Sequence, residues 1–374
     1  MTGLGMCQQG RLLHRRFVCL MVVALTCLPV AGRAADGQLG TPPSGDATAL
    51  VQGALEAAGR DLVLPCGTWN VTGLKFVPGG VHGLRGEALG CAALYITTDA
   101  PALHCSDISS DVAVHDLTIV GSAPSYGGVA SPRIEDRGQS AIYVRNCPNV
   151  TVRNVRVSNI SGTAFDCEHP ASDFPKPAAI VVDGLRVTDS YRAIHLRNAC
   201  EYALVRGLVA RNNVFGAVIA AGNVRVSSFI IDFNSVGIKI VGQPNANPCH
   251  GAFVNGASNH NAYNLDVTGC ALGHEFVGVS MIGDQDGSLR GGGFVRIANS
   301  RMVNLVGGTI GSRLVLLRCE PTGNDNCALA GSNLVANNIV RDDIPGWRAP
   351  ASDYSGGIVA KNNISGRGLV GWNN

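Results

Sequence analysis

One short phrase recurs along the chain at nearly regular steps. It reads GLVARNN at 207–213, NLVANN at 333–338 and GIVAKNN at 357–363. The steps from 185 to 208, from 208 to 229 and from 334 to 358 are 23, 21 and 24 residues. A repeat of this length predicts a solenoid, in which each unit buries its apolar face only by stacking on its neighbours. The apolar second residue of the phrase and of its weaker copies falls at Leu117, Val155, Leu185, Leu208, Phe229, Leu265, Leu334 and Ile358.

Each repeat contains strand and turn residues and lacks a helical pattern. Short alternating segments rich in valine and isoleucine are separated by Asn, Gly, Asp and Ser. A leucine-rich repeat has a similar period, but its leucine consensus is missing. We therefore predict an all-β fold, a single-stranded right-handed parallel β-helix whose coils pair about 4.8 Å apart. The paired asparagines are predicted to turn the chain at a corner and to stack from coil to coil.

The segment 46–73 is predicted to cap the N-terminal end of the solenoid. Asp46 is placed as the N-cap of a short amphipathic helix that ends at Gly59, and a strand and a turn follow it. The capping helix covers an apolar end that would otherwise face water. Its apolar face is formed by Leu50, Val51, Ala54 and Leu55.

This helix, followed by LVLPCGTWNV at 62–71, resembles the opening of the pectate-lyase-like β-helix superfamily. In that superfamily a variant of Leu-Pro-x-Gly-x-Tyr follows the capping helix. The resemblance extends over residues 46–374 and implies one β-helix domain that acts on polysaccharide, by β-elimination or hydrolysis, in a groove along one sheet. The motif sets of polygalacturonases and of calcium pectate lyases are missing, so no catalytic residue is carried over from either subfamily.

The first 34 residues differ from the rest of the chain. A basic segment at 11–16, an apolar run at 17–30 and small residues after it predict a secretory signal peptide over 1–34, and a short segment over 35–45 follows. The apolar run is shorter than the roughly 20 residues of a spanning helix, so no membrane span is predicted in the mature protein. We expect a secreted protein, whether extracellular, periplasmic or at the cell surface. The net charge of +2 gives no indication of a basic surface that would bind nucleic acid.

Cysteine usage agrees with export. Of 13 cysteines, ten lie beyond residue 34, an even number that suits an oxidising compartment. The pairs Cys319–Cys327 and Cys249–Cys270 are predicted, because each would close a loop. No CxxC motif occurs, which argues against a zinc site.

One strand of successive repeats carries the candidate site. The segments AFDCEH, AIHLRN, AVIAAG and GIKIVG begin at 164, 193, 217 and 237 and align with one another. Alternation then places Phe165, Ile194, Val218 and Ile238 inside, and it places Asp166, His195, Ile219 and Lys239 in one outward column that Glu275 continues. A second column two residues along contains Glu168 and Arg197. Acid, imidazole, ammonium and guanidinium groups are therefore predicted to share one face.

This face suits two ways of cleaving polysaccharide. In a lyase, Lys239 or His195 takes the proton next to a uronate carboxylate, while Arg197, or a cation such as calcium held by Asp166 and Glu168, neutralises that carboxylate. In a hydrolase, two of the carboxylates act as acid and base. A face of solvated charges is the alternative, and it would suit a non-catalytic protein that binds glycan or serves as surface structure. The candidate catalytic residues are Asp166, His195, Lys239 and Glu275, and the candidate substrate-binding residues on this face are Glu168 and Arg197.

Insertions between repeats offer further contacts. His250 and His260 lie in the long insertion at 249–266 and are candidate substrate-binding residues, although histidine also occurs in ordinary turns. The insertion at 121–140 carries Tyr126, an aromatic platform for a sugar ring. Asp284 and Asp286 suit either a cation or a simple turn.

Overall fold

The computed structural model describes residues 37–57, 61–129, 131–169, 179–198, 200–242, 250–282 and 288–298, together with short strands between 301 and 370. It confirms the predicted parallel β-helix with one helix near the N-terminus. The successive strands of each coil belong to three sheets, which form the three faces of the solenoid and which we call sheets I, II and III. Among the described residues, no helix is long and apolar enough to cross a membrane.

Sheet I is a parallel ladder that begins beside the cap. Its strands are β1 (Gly37–Gln38), β2 (Leu62–Leu64), β5 (Gly83–Gly86), β8 (Val112–His115), β11 (Asn149–Arg153), β14 (Ala179–Asp183), β17 (Leu204–Arg206), β20 (Val224–Ser227), β27 (Leu334–Ala336) and β29 (Val359–Lys361).

Sheet II follows sheet I within each coil. Its strands are β3 (Gly67–Val71), β6 (Ala92–Ile96), β9 (Thr118–Val120), β12 (Arg156–Ser158), β15 (Arg186–Thr188), β18 (Val209–Arg211), β21 (Ile230–Asp232), β26 (Arg301–Val303), β28 (Ile339–Arg341), β30 (Asn363–Ser365) and β31 (Gly368–Val370), of which β31 pairs antiparallel with β30.

Sheet III completes the coil. Its strands are β4 (Leu74–Lys75), β7 (Leu103–Ser106), β10 (Gln139–Arg145), β13 (Gly162–His169), β16 (Arg192–Asn198), β19 (Phe215–Ala220) and β22 (Val236–Val241). Three longer strands pass around corners and join more than one sheet: β23 (His250–Asn259), β24 (Tyr263–Ile282) and β25 (Ser288–Ala298).

The core is built from columns of branched side chains stacked in register. Because the side chains of a strand alternate, every second residue faces the interior, and parallel pairing places equivalent residues about 4.8 Å apart. Such stacked apolar columns supply the burial that one coil alone cannot provide. The column in sheet I consists of Val114, Val152, Val182, Val205, Val226 and Phe253, all of them buried.

The recurring asparagines form a corner ladder, as predicted for positions 212 and 213. Asn212 has a φ of 54°, so it makes the turn in the left-handed region. Asn213 is buried and donates from Nδ2 to Oδ1 of Asn234 at 3.0 Å, and Asn234 donates in the same way to Asn261 at 2.9 Å. The residues 337, 338 and 362 of the other two copies lie outside the described residues.

The cap differs from its prediction at both ends. The helix α1 (Thr48–Glu56) has Ala47 at its N-cap, and Asp46 accepts a hydrogen bond from the backbone N–H of Thr48 at 2.9 Å instead of capping the helix itself. The helix ends before the predicted Gly59, which lies outside the described residues. Val51 and Leu55 are buried as expected, but Leu50 is 49% exposed, because the narrow contact of a nine-residue helix covers only one side.

Within the described part of the chain, three disulfides join neighbouring coils. They are Cys66–Cys91, Cys105–Cys147 and Cys167–Cys200. The predicted pair Cys319–Cys327, Cys249 of the other predicted pair, the side chain of Cys270 and the signal peptide over 1–34 all lie outside the described residues.

Candidate active site on sheet III

The predicted outward column exists on sheet III, with one correction. Asp166 of β13 pairs with His195 of β16, and the column continues to Lys239 of β22. The residue between them is Val218, and the predicted Ile219 faces the core. The segment 217–222 is apolar at nearly every position, so alternation gives no register there.

Glu275 was predicted to continue the column, and this is wrong. Glu275 pairs with Ala252 in sheet I, because β24 passes through all three sheets and only its first residues continue sheet III. Asp266 takes the next position, and its Oδ2 lies 3.8 Å from Nζ of Lys239. Asp266 is not predicted from the sequence, because the insertion before it obscures the spacing of the repeat.

Around Asp166, four side chains form a hydrogen-bonded cluster, and His195 lies beside it. Arg197 donates from Nε and Nη2 to the two carboxylate oxygens of Asp166 at 3.2 and 3.0 Å, and its Nη2 also lies 3.0 Å from Oε2 of Glu168. The Tyr143 hydroxyl donates to the same Glu168 oxygen at 3.2 Å. Nδ1 of His195 lies 3.7 Å from Asp166. The two carboxylates therefore share the guanidinium of Arg197. They contact this side chain at the place where a bound cation was the alternative prediction.

Burial sets the protonation states of this cluster. It lowers the pKa of His195 to about 3, with Arg192 and Arg197 acting in the same direction. It raises the pKa of Asp166, against the opposing effect of Arg197. Burial and the Glu168 carboxylate raise the pKa of Tyr143. At neutral pH the site therefore presents a neutral imidazole and a protonated phenol on the two strands that flank β13.

These groups open into a cavity of about 370 Å³. Asp136 and Gly138, which line one side of the cavity, belong to the insertion between β9 and β10 (residues 121–138), which we call the wall loop. Two lining residues missed by the sequence analysis are Asp136 of this loop and Arg192 of β16, whose Oδ2 and Nη2 lie 2.6 Å apart. Strict alternation from His195 predicts that Ala193 faces outward and that Arg192 faces the core, so the pattern does not indicate Arg192 as a lining residue. The cavity is lined by Pro101, Asp136, Gly138, Ser140, Tyr143, Thr163, Asp166, Arg192, His195 and Arg197.

The wall loop follows the corner between sheets II and III over several coils. The Tyr126 backbone N–H donates to Asp189 at 3.0 Å, and the Tyr126 hydroxyl lies 2.7 Å from Oγ of Ser235. The Ser235 hydroxyl also donates to the carbonyl of Val129 at 2.9 Å. The Tyr126 ring is buried with Val214 in a small apolar cluster. Tyr126, predicted as a sugar platform, is therefore an anchor of the loop.

Lys239 lies away from the cluster. Two strand spacings, about 10 Å, separate it from His195 along the column. Its Nζ lies 5.5 Å from the centroid of the Phe215 ring. Lys239 therefore lies apart from the side chains around Asp166 and does not line the cavity.

The two predicted histidines of the insertion lie elsewhere. His250 begins β23 in sheet I, and its Nε2 lies 2.7 Å from Oδ1 of Asn223. His260 occupies a corner with a φ of 52°, and its ring stacks on Phe233 with the centroids 5.2 Å apart. Neither residue lines the sheet III cavity.

Two groups of side chains among the described residues have the spacing of metal ligands. They are Cys167 with His169 and Cys200, and Cys66 with Glu87 and Cys91. Each contains a disulfide pair, whose sulfurs lack the thiolate that binds metal. Asp284 and Asp286 lie outside the described residues.

A second, larger groove of about 1000 Å³ lies on sheet I. Ala113, Thr151 and Val181 lie along its floor, and His115 and Arg153 are among its other lining residues. It contains none of the predicted site residues.

Comparison with protein-family models and with curated proteins gave no match. Solved structures do match. The catalytic domain of a GH87 α-1,3-glucanase in complex with tetrasaccharides has a TM-score of 0.50 at 12% identity, and the match covers 82% of this chain and 60% of that chain. The A-module of the Azotobacter vinelandii mannuronan C-5 epimerase AlgE4 has a TM-score of 0.45 at 14% identity, covering 87% and 84%. An exopolygalacturonase from Thermotoga maritima has a TM-score of 0.41 at 11% identity, covering 90% and 93%. At such identities the likeness concerns the right-handed parallel β-helix fold alone.

Proposed function

We propose that the protein is a secreted enzyme that cleaves an acidic polysaccharide by β-elimination in the sheet III cavity. The observation that carries this proposal is the neutral imidazole of His195, which lines one cavity with the guanidinium groups of Arg192 and Arg197. A β-elimination needs a base next to cations that neutralise a uronate carboxylate. A parallel β-helix glucanase that binds tetrasaccharides supports polysaccharide as the ligand of such a fold.

The substrate itself would prepare the base. The two arginines help to lower the pKa of His195, so a bound uronate carboxylate that neutralises them raises this pKa toward the range of an effective base. His195 then takes the proton from the carbon next to the carboxylate. The electron pair of that bond forms the new carbon–carbon double bond, and the glycosidic oxygen leaves.

Tyr143 is the proposed proton donor. Its raised pKa keeps the phenol protonated, and its hydroxyl already donates to Glu168 inside the cluster. Transfer of this proton to the departing oxygen completes the balance of the reaction. Asp166 holds Arg197 and lies beside Nδ1 of His195, so it orients both groups. Lys239 would bind the carboxylate of an adjacent sugar.

The test is to incubate the purified protein with uronate-containing and neutral polysaccharides, with calcium and with a chelator. We expect new reducing ends together with the ultraviolet absorbance of an unsaturated uronate product. His195→Gln should lower kcat by about 10²- to 10⁴-fold, as loss of a general base does. The exposed His82 provides the matched control, His82→Gln, which should keep full activity.

Other results would support other functions. Reducing ends without the absorbance would mean hydrolysis, with Asp166 and Glu168 as the carboxylate pair. Silence across the whole panel would favour a non-catalytic protein that binds glycan or serves as surface structure. Cleavage by His195→Gln at the wild-type rate would remove His195 from the mechanism.

Secretion and the domain limits belong to the same proposal. The three disulfides support an oxidising compartment. We propose that the signal peptide ends near residue 34 and that the β-helix domain covers 46–374. Mass spectrometry of the exported protein would give its N-terminus, and an intact first residue would contradict cleavage.

A further inference from the structure

We propose that Arg192 is a binding subsite for a sugar carboxylate and that Asp136 of the wall loop occupies this subsite until an acidic sugar displaces it. This rests on the proposed function, because the ligand is the uronate group of the same substrate. It adds an internal competitor that the sugar must replace.

Arg192 is held in place and still faces the cavity. Its guanidinium carbon lies 4.6 Å from the centroid of the Tyr191 ring, and Nη1 lies 3.5 Å from Oγ1 of Thr163. Stacking on the ring fixes the plane of the guanidinium, which can then present two parallel N–H groups to a carboxylate. Nη2 binds Asp136 at 2.6 Å, and both side chains line the cavity beside His195.

The two guanidinium groups that line the cavity differ in how their acid partners are held. The partners of Arg197 are Asp166 and Glu168, which both belong to β13 and move only with the sheet. The partner of Arg192 belongs to a loop, and its side chain is 33% exposed. An incoming carboxylate can therefore exchange with Asp136 more easily than with the acids bound to Arg197.

The backbone of the wall loop is held on both sides of Asp136, because Ile134 packs in the small apolar cluster of Tyr126 and the Arg137 N–H donates to the Ser161 carbonyl. Only the side chain of Asp136 therefore has to move. Tyr126 anchors the loop by two hydrogen bonds to the corner residues Asp189 and Ser235. Asp136 lies near the other end, where it also accepts a bond from the backbone N–H of Gly138 at 3.1 Å. An acidic sugar supplies the carboxylate that replaces Asp136 at Arg192. A neutral sugar offers no such exchange, so this contact selects acidic substrates.

The test compares two substitutions in adjacent loop positions. Asp136→Asn removes the internal carboxylate. Glu135→Gln removes the same charge from a side chain that is 79% exposed and lies 3.8 Å from Arg137, and it serves as the control. Binding of short oligomers of galacturonate, mannuronate and glucuronate, and of one neutral oligosaccharide, is measured by calorimetry.

We expect Asp136→Asn to bind the best uronate oligomer about two- to fivefold more tightly than the wild type, since a partly exposed ion pair contributes modestly. Glu135→Gln should bind like the wild type, and the neutral oligosaccharide should not distinguish the variants. In an Arg192→Gln background, Asp136→Asn should have no further effect, because the guanidinium for which the carboxylates compete is gone.

Three results would overturn the inference. If the wild type binds and cleaves a uronate polymer but Asp136→Asn binds no more tightly than Glu135→Gln, this inference fails and the proposed function stands. If neither the wild type nor Asp136→Asn binds any uronate, both fail. If Tyr126→Phe, which loosens the loop at its other end, tightens binding equally, the gain comes from a looser loop and not from the freed guanidinium.

Discussion

Replacing His274 with leucine is expected to make the protein more resistant to acid. His274 lies in β24 with no exposed surface, and neither ring nitrogen has a hydrogen-bond partner among the described residues. Its ring lies 6.0 Å from that of Phe253. Burial, with a smaller contribution from His250, lowers its pKa from 6.5 to about 3. The imidazole is therefore neutral in the folded protein over a range in which the unfolded chain takes up a proton.

The sign of the effect follows from these two pKa values. Because the folded pKa is the lower one, the stabilisation is fully present above a pH of about 6.5 and is lost as the pH falls toward 3. Each pKa unit corresponds to about 1.4 kcal/mol, so the loss approaches roughly 5 kcal/mol at the acid end. The lowered pKa of His195, about 3, reduces the stability of the folded protein over the same range of pH. Leucine at 274 removes one of these two contributions and also removes two buried polar atoms.

The assay is urea unfolding of the wild type and of His274→Leu at a series of pH values below neutral. The difference in the free energy of unfolding should grow as the pH falls. The exposed His82 supplies the control, and His82→Gln should follow the wild type at every pH. A constant offset between His274→Leu and the wild type across the series would refute the assignment of a buried neutral imidazole.

Three further predictions concern stability. Asn213→Ala leaves buried backbone groups without partners and should lower the free energy of unfolding in urea by about 2 to 5 kcal/mol. Asn212→Gly keeps the left-handed turn and should lower it by less than about 0.5 kcal/mol. Equal losses for the two variants would contradict the corner ladder. Replacing Cys167 and Cys200 with alanine should lower stability by about 3 kcal/mol, and a reductant should then have less effect on the variant than on the wild type. Tyr126→Phe should cost about 1 kcal/mol and speed proteolysis within the wall loop, and an unchanged cleavage pattern would contradict its role as an anchor.

Regular repeats made the solenoid predictable. Where valines alternate with polar residues, as in β11 and β20, each residue has one possible face, and the structure follows the pattern. In β19 that information is missing, because 217–222 is almost entirely apolar, and the predicted register slipped by one residue. The glycines at 216 and 237 indicate the correct register, because they lie at equivalent positions of adjacent coils. A Cβ on Gly216 would lie 2.5 Å from the carbonyl oxygen of Gly237.

Contacts made across insertions were not predictable in the same way. Asp136 and Arg192 are separated by 56 residues, and no periodic pattern relates a loop to a strand that far away. Glu275 was misplaced because β24 turns two corners without a break that the sequence marks. Each described disulfide joins two cysteines that are consecutive in the sequence, but the sequence alone allows many other pairings of the same cysteines. The cluster around Asp166 and Glu168 was partly predictable because both lie on one regular strand.

The position of the wall loop has a consequence for how such a protein can change over time. The loop leaves the coil after β9 and rejoins it at β10, and both strands keep their register with the coils on either side. Its length and sequence can therefore vary without a shift in any ladder. Under the proposed function, substrate preference can then diverge among descendants through this loop alone, while the residues that stack in the core columns are inherited unchanged.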